Sequence, residues 1–237
     1  MEQKKYTYED FIEIIRMLRS ENGCPWDREQ THMSLRPCMM EEAAEVAAAI
    51  RIYDRTGSWE NLREELGDVL LQVVMHSRIA EEEGLFTLED VVSEVAEKMV
   101  RRHPHVFGDV SAETSVQVLQ NWEEIKKQEK AGKEQTETPL REIPVELPAL
   151  TRATKVLKKV DRLYEPQKSF ADSVVELQKI AGKIEGMTPV SYDEELSHVV
   201  GNILVEVSNI ARIFKLSQEQ ILSDKIEEII EKYEKNA

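Results

Sequence analysis

Two short acidic motifs contain the residues whose types and spacing could do chemistry. EEAAE occupies positions 41–45, and EELGD follows 18 residues later at positions 64–68. Residues three apart on an α-helix are neighbours on one face, so each motif can direct two carboxylates toward one point. The four carboxylates at this spacing are those of Glu42, Glu45, Glu65 and Asp68.

Four converging carboxylates would repel one another unless a cation lay among them. A set of hard oxygen donors selects Mg²⁺, with Mn²⁺ as a possible substitute, over zinc or copper. Helical di-iron proteins also place carboxylates inside a bundle, but they use Glu-x-x-His, and neither motif has a His at that spacing. The remaining alternative is a set of ordinary solvated acids on surface helices.

Hydrophobic periodicity predicts that two neighbouring helices, 34–53 and 59–83, carry these motifs. Pro37 would lie in the first turn of the earlier helix. The short connection makes the helices antiparallel, so that acids on equivalent borders of the two apolar faces can meet across a cleft. The predicted core faces consist of Met39, Ala43, Val46, Ala47 and Ile50 on the first helix and Leu62, Leu66, Val69, Leu70 and Val73 on the second.

The remaining pattern is also helical, as expected for a chain of 237 residues with only 9 Gly and 8 Pro. A helix over 7–20, a loop ending near Asp27, a helix from the Thr87–Asp90 cap to Pro104, and a polar helix over 116–128 are predicted. Three prolines interrupt 131–148. We therefore predict an all-α protein with a domain at 1–130, a linker at 131–148 and a second helical domain at 149–237.

The second domain repeats the first at an offset of 134 residues. GDVLLQVVMHSRI at 67–79 aligns with GNILVEVSNIARI at 201–213, which indicates two related modules, although chance similarity of amphipathic helices is the alternative. At the metal motif the offset places Val175, Glu176, Lys179, His198, Val199 and Asn202 opposite the six acids of the first module. One carboxylate in six cannot build a Mg²⁺ site, so we predict a degenerate copy retained for dimerisation, stability or regulation.

Composition excludes several classes of function. A formal net charge of −15 argues against general binding of nucleic-acid backbones. No apolar run approaches the ~18 residues expected of a membrane span, and no signal peptide is evident. The two cysteines, Cys24 and Cys38, form neither a zinc pattern nor a disulfide framework, so we expect free thiols in a cytoplasmic protein.

The acidic motifs and several other segments resemble the MazG family of all-α nucleoside triphosphate (NTP) pyrophosphohydrolases. The additional segments are GCPWDREQTH at 23–32, RRHPHVFGD at 101–109 and NWEEIK at 121–126. The resemblance implies a homodimer that cleaves NTPs or dNTPs between the α and β phosphates, giving NMP and pyrophosphate, and clears canonical or damaged nucleotides. It also implies that Glu42, Glu45, Glu65 and Asp68 are metal ligands, with Glu41 and Glu64 as neighbouring acids or ligands of an additional ion.

Metal-assisted phosphoryl transfer needs cations on the phosphates and an oriented water, and an unligated Glu such as Glu41 could act as general base. Several other residues could contact substrate, and each has a structural alternative. Lys98, Arg101, Arg102 and His103 could bind phosphates or simply complement a helix C-terminus, and the resemblance favours phosphate binding for some of them. Trp26 and Asp27 could contact the nucleoside, although a partly buried Trp is common. A nucleotide or a dimer contact would explain Asn121, Trp122 and Lys126.

Three hypotheses follow for the function. The first is an NTP pyrophosphohydrolase, and the second is a non-catalytic nucleotide-binding or regulatory protein. A purely structural helical assembly module is the third. The intact acids of the first module favour the enzyme.

Overall fold

A computed structural model describes residues 5–131, 138–185 and 194–234 as α-helices and their connections, which confirms the predicted all-α class. The chain consists of two compact units, Met1–Ala131 and Gly132–Ala237. Unit 1 contains α1 (Tyr8–Leu18), α2 (Pro25–Glu29), α3 (His32–Thr56), α4 (Glu60–Glu82), α5 (Leu88–Arg102), α6 (Pro104–Phe107) and α7 (Ser115–Ala131). Unit 2 contains α8 (Ala149–Leu163), α9 (Phe170–Glu185), α10 (Glu194–Phe214) and α11 (Gln218–Glu234). No helix in the described ranges has the length and apolarity needed to cross a bilayer.

Capping boxes begin three helices of unit 1. Thr7, Thr31 and Thr87 each accept a hydrogen bond from the backbone of the residue three positions later, whose side chain bonds back to the threonine N–H. The Thr31 box begins α3 two residues earlier than predicted, so Pro37 is the sixth helical residue instead of a first-turn residue. At the other end, Gly57 closes α3 in the left-handed conformation with φ 75°.

The segment predicted as a loop up to Asp27 contains the short helix α2 instead. Pro25 is its first residue, where a fixed φ suits a helix and the missing N–H costs nothing. Single-sequence periodicity misses this helix because five residues make little more than one turn.

The hydrophobic core of unit 1 lies at one end of the α3–α4 pair. Its buried members are Ile15, Leu35, Val74, Met75 and Ile79, with Phe11, Leu18, Leu71 and Leu88 packed around them. These residues come from α1, from the beginnings of α3 and α5, and from the second half of α4. The N-terminal half of α4 and the facing part of α3 therefore lie outside this cluster.

The predicted core faces of the two acidic helices fall in this second region, and there the prediction is wrong for the single chain. None of the ten residues named is buried, and Ile50, Leu66 and Leu70 are 51%, 52% and 41% exposed. Helical periodicity identifies an apolar face but does not say which element covers it. The acids consequently lie on an open part of the bundle.

Unit 2 has the helix order expected of a related module. Its α10 packs against the preceding helix α9, as α4 packs against α3. Of the predicted linker, residues 132–137 lie outside the described residues. The described part packs within unit 2, where Ile143 is buried and Lys159 binds Glu142 at 2.8 Å.

Polar side chains fill part of the interior of unit 2. The Gln218 side chain donates to Ser208 Oγ at 2.9 Å and accepts from Thr154 Oγ1 at 2.9 Å. The Asn209 side chain donates to Ser173 Oγ and to the Lys168 carbonyl, both at 2.9 Å. These bonds satisfy polar groups that burial would otherwise penalise.

Candidate metal centre

The α3–α4 pair brings three carboxylates of the acidic motifs together. One oxygen each from Glu42, Glu45 and Glu65 lies within 4.8 Å of the other two. Glu42 and Glu65 are half-buried, whereas Glu45 is exposed. We call these three residues the acidic cluster. Its members come from both motifs, so the cluster exists only because the two helices pack side by side.

Burial and repulsion among negative charges dominate the electrostatics of the acidic cluster. Burial raises the pKa of Glu42, and the charges of Asp68, Glu45 and Glu65, with a Glu45 hydrogen bond, raise it further. A bound cation would offset this repulsion among the carboxylates.

The other predicted acids surround the acidic cluster without joining it. Asp68 is half-buried and lies outside the 4.8 Å group. Its charge nevertheless raises the pKa of Glu42 more than the charge of Glu45 or of Glu65 does. Glu41 and Glu64 are exposed and also lie outside that group. The structure therefore brings together three of the four predicted ligands, with the fourth close enough to act on them electrostatically.

Asn61 is a residue of the site that sequence reasoning missed. Its amide Nδ2 donates to Glu65 Oε1 at 2.6 Å from one turn earlier on α4. This bond fixes one carboxylate oxygen and leaves the other available. The four-residue spacing from Glu65 was the available signal, because such residues are neighbours on a helix.

The donor set of the acidic cluster fits a hard divalent cation. Magnesium takes oxygen ligands and keeps several waters, so it is commonly held by a few carboxylates together with substrate phosphates. Three carboxylate oxygens on one open face satisfy that description. The arrangement can hold a cation while leaving room for a phosphate chain.

Two of the predicted phosphate-binding residues are paired within unit 1. Arg101 Nε lies 2.8 Å from Glu129 Oε1, and Arg102 Nη2 lies 2.6 Å from Glu129 Oε2. Hydrogen bonds from Arg102 and then Arg101 lower the pKa of Glu129 to about 2. The two arginines thus join α5 to α7.

Trp122 lies at the same contact between α5 and α7. The Arg102 guanidinium is 5.4 Å from its ring centre, and the His103 ring meets it edge-on at 4.9 Å. His103 Nδ1 also lies 2.6 Å from the Met99 carbonyl oxygen. These contacts give Arg102, His103 and Trp122 a packing role.

The remaining predicted contact residues of α5 and α7 have partly covered side chains. Lys98 and Asn121 are half-buried. Lys126 pairs with Glu123 at 3.2 Å on its own helix.

Trp26 and Asp27 lie on α2, away from the acidic cluster along α3. Trp26 is 60% exposed, so it is not the partly buried tryptophan of the alternative reading. The beginning of α3, directly after α2, lies ten residues before Glu42 (42 − 32), which is about 15 Å along the axis at the usual helical rise. A nucleotide whose phosphates lie at the acidic cluster would therefore need an extended conformation for its nucleoside to reach Trp26.

His76 continues the acidic border of α4 but pairs with another histidine. Its Nδ1 lies 2.8 Å from His32 Nδ1, and the two rings stack with their planes 4° apart. Burial and then the charge of His32 lower the pKa of His76. The pair joins the start of α3 to the second half of α4.

Unit 2 carries an ion pair where unit 1 carries its acids. Glu176 and Lys179, the equivalents of Glu42 and Glu45, approach to 3.5 Å. Of the facing positions, Val199 is buried, whereas His198 and Asn202 are exposed. One carboxylate beside an ammonium group does not provide the ligands of a divalent cation.

The fold and site define an all-α protein with a carboxylate centre that fits a divalent cation. Comparison with known proteins identifies its family. Residues 30–107 match the MazG nucleotide pyrophosphohydrolase domain. The chain is 36% identical over 235 residues to the nucleoside triphosphate pyrophosphohydrolase/pyrophosphatase MazG of Thermotoga maritima, covering 99% of this chain and 87% of that protein. It is 39% identical over 204 residues to the nucleoside triphosphate pyrophosphohydrolase of Escherichia coli K12, covering 85% and 76%.

A further relative is longer than this chain. The uncharacterized protein YabN of Bacillus subtilis is 40% identical over 227 residues, which cover 94% of this chain but only 45% of YabN. The chain belongs to the MazG family. The prediction of a MazG-type nucleoside triphosphate pyrophosphohydrolase is thereby confirmed at the level of the family.

Proposed function

We propose that unit 1 catalyses Mg²⁺-dependent hydrolysis of nucleoside triphosphates to NMP and pyrophosphate, clearing canonical or damaged nucleotides in the cytoplasm. The observation that carries this proposal is the meeting of Glu42, Glu45 and Glu65 within 4.8 Å. The family membership supplies the reaction class, and the acidic cluster supplies a place for it.

In the proposed mechanism, Glu42, Glu45 and Glu65 would hold the cation, with Asp68 as the fourth ligand. When bound, the cation would neutralise phosphate charge and orient a water for in-line attack. The water oxygen bonds to the α phosphorus, and the bond from that phosphorus to the bridging oxygen breaks, so pyrophosphate leaves. Glu41 or Glu64, both exposed beside the ligands, accepts the proton of the water.

The basic residues at the end of α5 are proposed to face the phosphates. The family resemblance favours phosphate binding by some of them, and Glu129 holds the guanidinium groups of Arg101 and Arg102 in place. A triphosphate could then compete with Glu129 for one guanidinium.

The apolar face of α3 and α4 supports a homodimer. Ile50, Leu66 and Leu70, next to the acidic motifs, are about half exposed in the single chain. Covering such a face removes apolar surface from water. We propose that a second copy covers it and that unit 2, which lacks the acids, contributes stability or regulation instead of catalysis.

A nucleotide panel tests the proposed reaction. The full chain is incubated with each NTP and dNTP plus Mg²⁺, and released pyrophosphate and orthophosphate are measured separately. Glu42→Ala and Asp68→Ala should abolish pyrophosphate release, whereas the matched control Glu176→Ala in unit 2 should not. Orthophosphate as the first product would refute the cleavage position. Binding without turnover would favour the alternative, a non-catalytic nucleotide-binding protein.

A further inference from the structure

Arg19, the residue that ends α1, joins three separate elements of unit 1. Its side chain is only 5% exposed. Its Nη1 donates to the carbonyls of Asp27 and Gln30, the latter at 3.2 Å, while Nε and Nη2 donate to the Glu82 carboxylate, the closest contact being 2.7 Å. One guanidinium thus connects the end of α1, the end of α2 and the last turn of α4.

The contacts to Asp27 and Gln30 stabilise the short helix α2. They add to bonds from the Arg28 guanidinium to the Glu21 carbonyl and from the Gln30 side chain to the Trp26 carbonyl. Isolated helices as short as α2 are unstable in water, and their terminal carbonyls lack partners within the helix. No side chain caps its N-terminus. The buried guanidinium supplies two hydrogen bonds at the opposite end, where a positive charge is also favourable.

The segment before α2 is fixed to the end of α1 as well. The Cys24 N–H donates to the Leu18 carbonyl at 2.8 Å. A Cβ on Gly23 would lie 2.2 Å from the Met17 carbonyl oxygen, so the backbone passes too close there for any side chain. Both ends of the Gly23–Gln30 segment are therefore attached to α1 or to its Arg19.

Glu82 orients the guanidinium from the other side. A carboxylate in the last turn of a helix opposes the helix dipole, so it needs a positive partner. Arg19 and Arg78 supply it, with Arg78 Nε at 2.9 Å from Glu82 Oε1. Burial alone would raise the pKa of Glu82, but the hydrogen bonds and charges of the two arginines lower it.

We propose that Arg19 is a positioning residue for nucleotide binding, holding α2 so that the exposed Trp26 and the adjacent Asp27 meet the nucleoside. Neither the family comparison nor the acidic motifs assign it a role. The proposal rests on the proposed function, because it assumes that α2 contacts the nucleoside of an NTP whose phosphates lie at the acidic cluster. Arg19 uses three nitrogens of a rigid, planar fork to reach the two carbonyls on one side and the carboxylate on the other, and the single nitrogen of a lysine ammonium group does not reproduce that geometry.

The position of α2 predicts which kinetic constant changes. The acidic cluster lies about 15 Å from the start of α3, so displacing α2 should leave the metal and phosphates in place. Losing Arg19 should therefore weaken nucleoside binding and raise KM roughly tenfold, about the effect of one charge-assisted hydrogen bond. The value of kcat should stay within about twofold, since the reacting atoms are unaffected.

The test compares Arg19→Lys, Arg19→Ala and Glu82→Gln with Arg16→Ala, a control one turn earlier whose guanidinium pairs with the exposed Glu13 at 2.9 Å. Steady-state kinetics are measured in the full chain with the best-cleaved nucleotide and Mg²⁺. Inhibition by inorganic tripolyphosphate, which has no nucleoside, reports the phosphate side alone. We expect a raised KM, an unchanged inhibition constant for tripolyphosphate, and a smaller effect of Arg19→Lys in a Trp26→Ala background, where only the Asp27 contact remains to be lost.

Three results would overturn the proposal. These are an unchanged KM in both Arg19 variants, an inhibition constant for tripolyphosphate that rises in parallel with KM, or full additivity with Trp26→Ala. Failure of the proposed function would show instead in the unaltered protein, as absence of pyrophosphate release. In that case calorimetric titration with the magnesium nucleotide tests the role of Arg19. Equal dissociation constants for Arg19→Lys and the unaltered protein, or no binding by either, would reject that role.

Discussion

Replacing Glu42 with Gln should have opposite effects on stability with and without magnesium. In the metal-free protein, burial and the charges of Asp68, Glu45 and Glu65 act against ionised Glu42. Removing its charge relieves that repulsion, so unit 1 of Glu42→Gln should unfold at a higher temperature than the unaltered protein. With Mg²⁺ present, the same substitution removes a ligand and should be destabilising.

The size of the magnesium effect follows from binding linkage. At a Mg²⁺ concentration 100 times Kd, a ligand that binds only the folded state contributes about 2.7 kcal/mol, which is roughly 10 °C in Tm for a unit of this size. Even groups that only orient metal ligands cost about 10- to 100-fold in affinity when mutated, so we expect about 100-fold for Glu42→Gln. Magnesium at the same concentration would then raise its Tm by only about 1 to 2 °C.

Differential scanning calorimetry with Mg²⁺ or EDTA measures both effects in the full chain. Glu176→Gln is the matched control, because it removes the equivalent charge from unit 2, where Lys179 is the partner. Its response to Mg²⁺ should equal that of the unaltered protein. If Glu42→Gln gained the full magnesium shift, or lost stability in EDTA, the acidic cluster would not be a cation site.

Three further predictions concern other parts of the chain. The pKa of Glu129 is lower in the folded chain, at about 2, than its ordinary value of 4.5, so its pairing stabilises the protein fully above pH 4.5 and loses that effect as pH falls toward 2. The stability difference between Glu129→Gln and the unaltered protein, from denaturant titrations, should shrink over that range; a constant difference would contradict it. Gly23→Ala should lower the free energy of unfolding by about 1–3 kcal/mol in the same titrations, because its Cβ would collide with α1 carbonyl groups. The control Gly67→Ala has open space around its Cβ and should raise the free energy of unfolding by about 0.5–1 kcal/mol. Leu66→Asp should shift the protein from dimer to monomer in analytical ultracentrifugation, and an unchanged mass would place the dimer contact elsewhere.

Residues close together in sequence were the most predictable part of this protein. The Thr87–Asp90 cap, the two acidic helices and the polar helix before the predicted linker follow from local spacing, and the structure contains each of them. The five-residue helix α2 escaped prediction because it makes little more than one turn and because contacts from Arg19, outside the helix, contribute to its stability. The core faces of α3 and α4 were predicted wrongly because periodicity cannot say which apolar face finds a partner within one chain.

The sequence by itself determined the all-α class, the family and the two acidic motifs, since helix caps, 3.6-residue periodicity and i,i+3 spacing are properties of neighbouring residues. Only the tertiary structure decided that Glu42, Glu45 and Glu65 meet while Asp68 acts from beside them, and that Arg101 and Arg102 face Glu129. Arg19 and Glu82 are 63 positions apart, and no local pattern predicts such a pair. Which side chains meet across helices depends on how whole helices pack, and packing is a property of the folded chain.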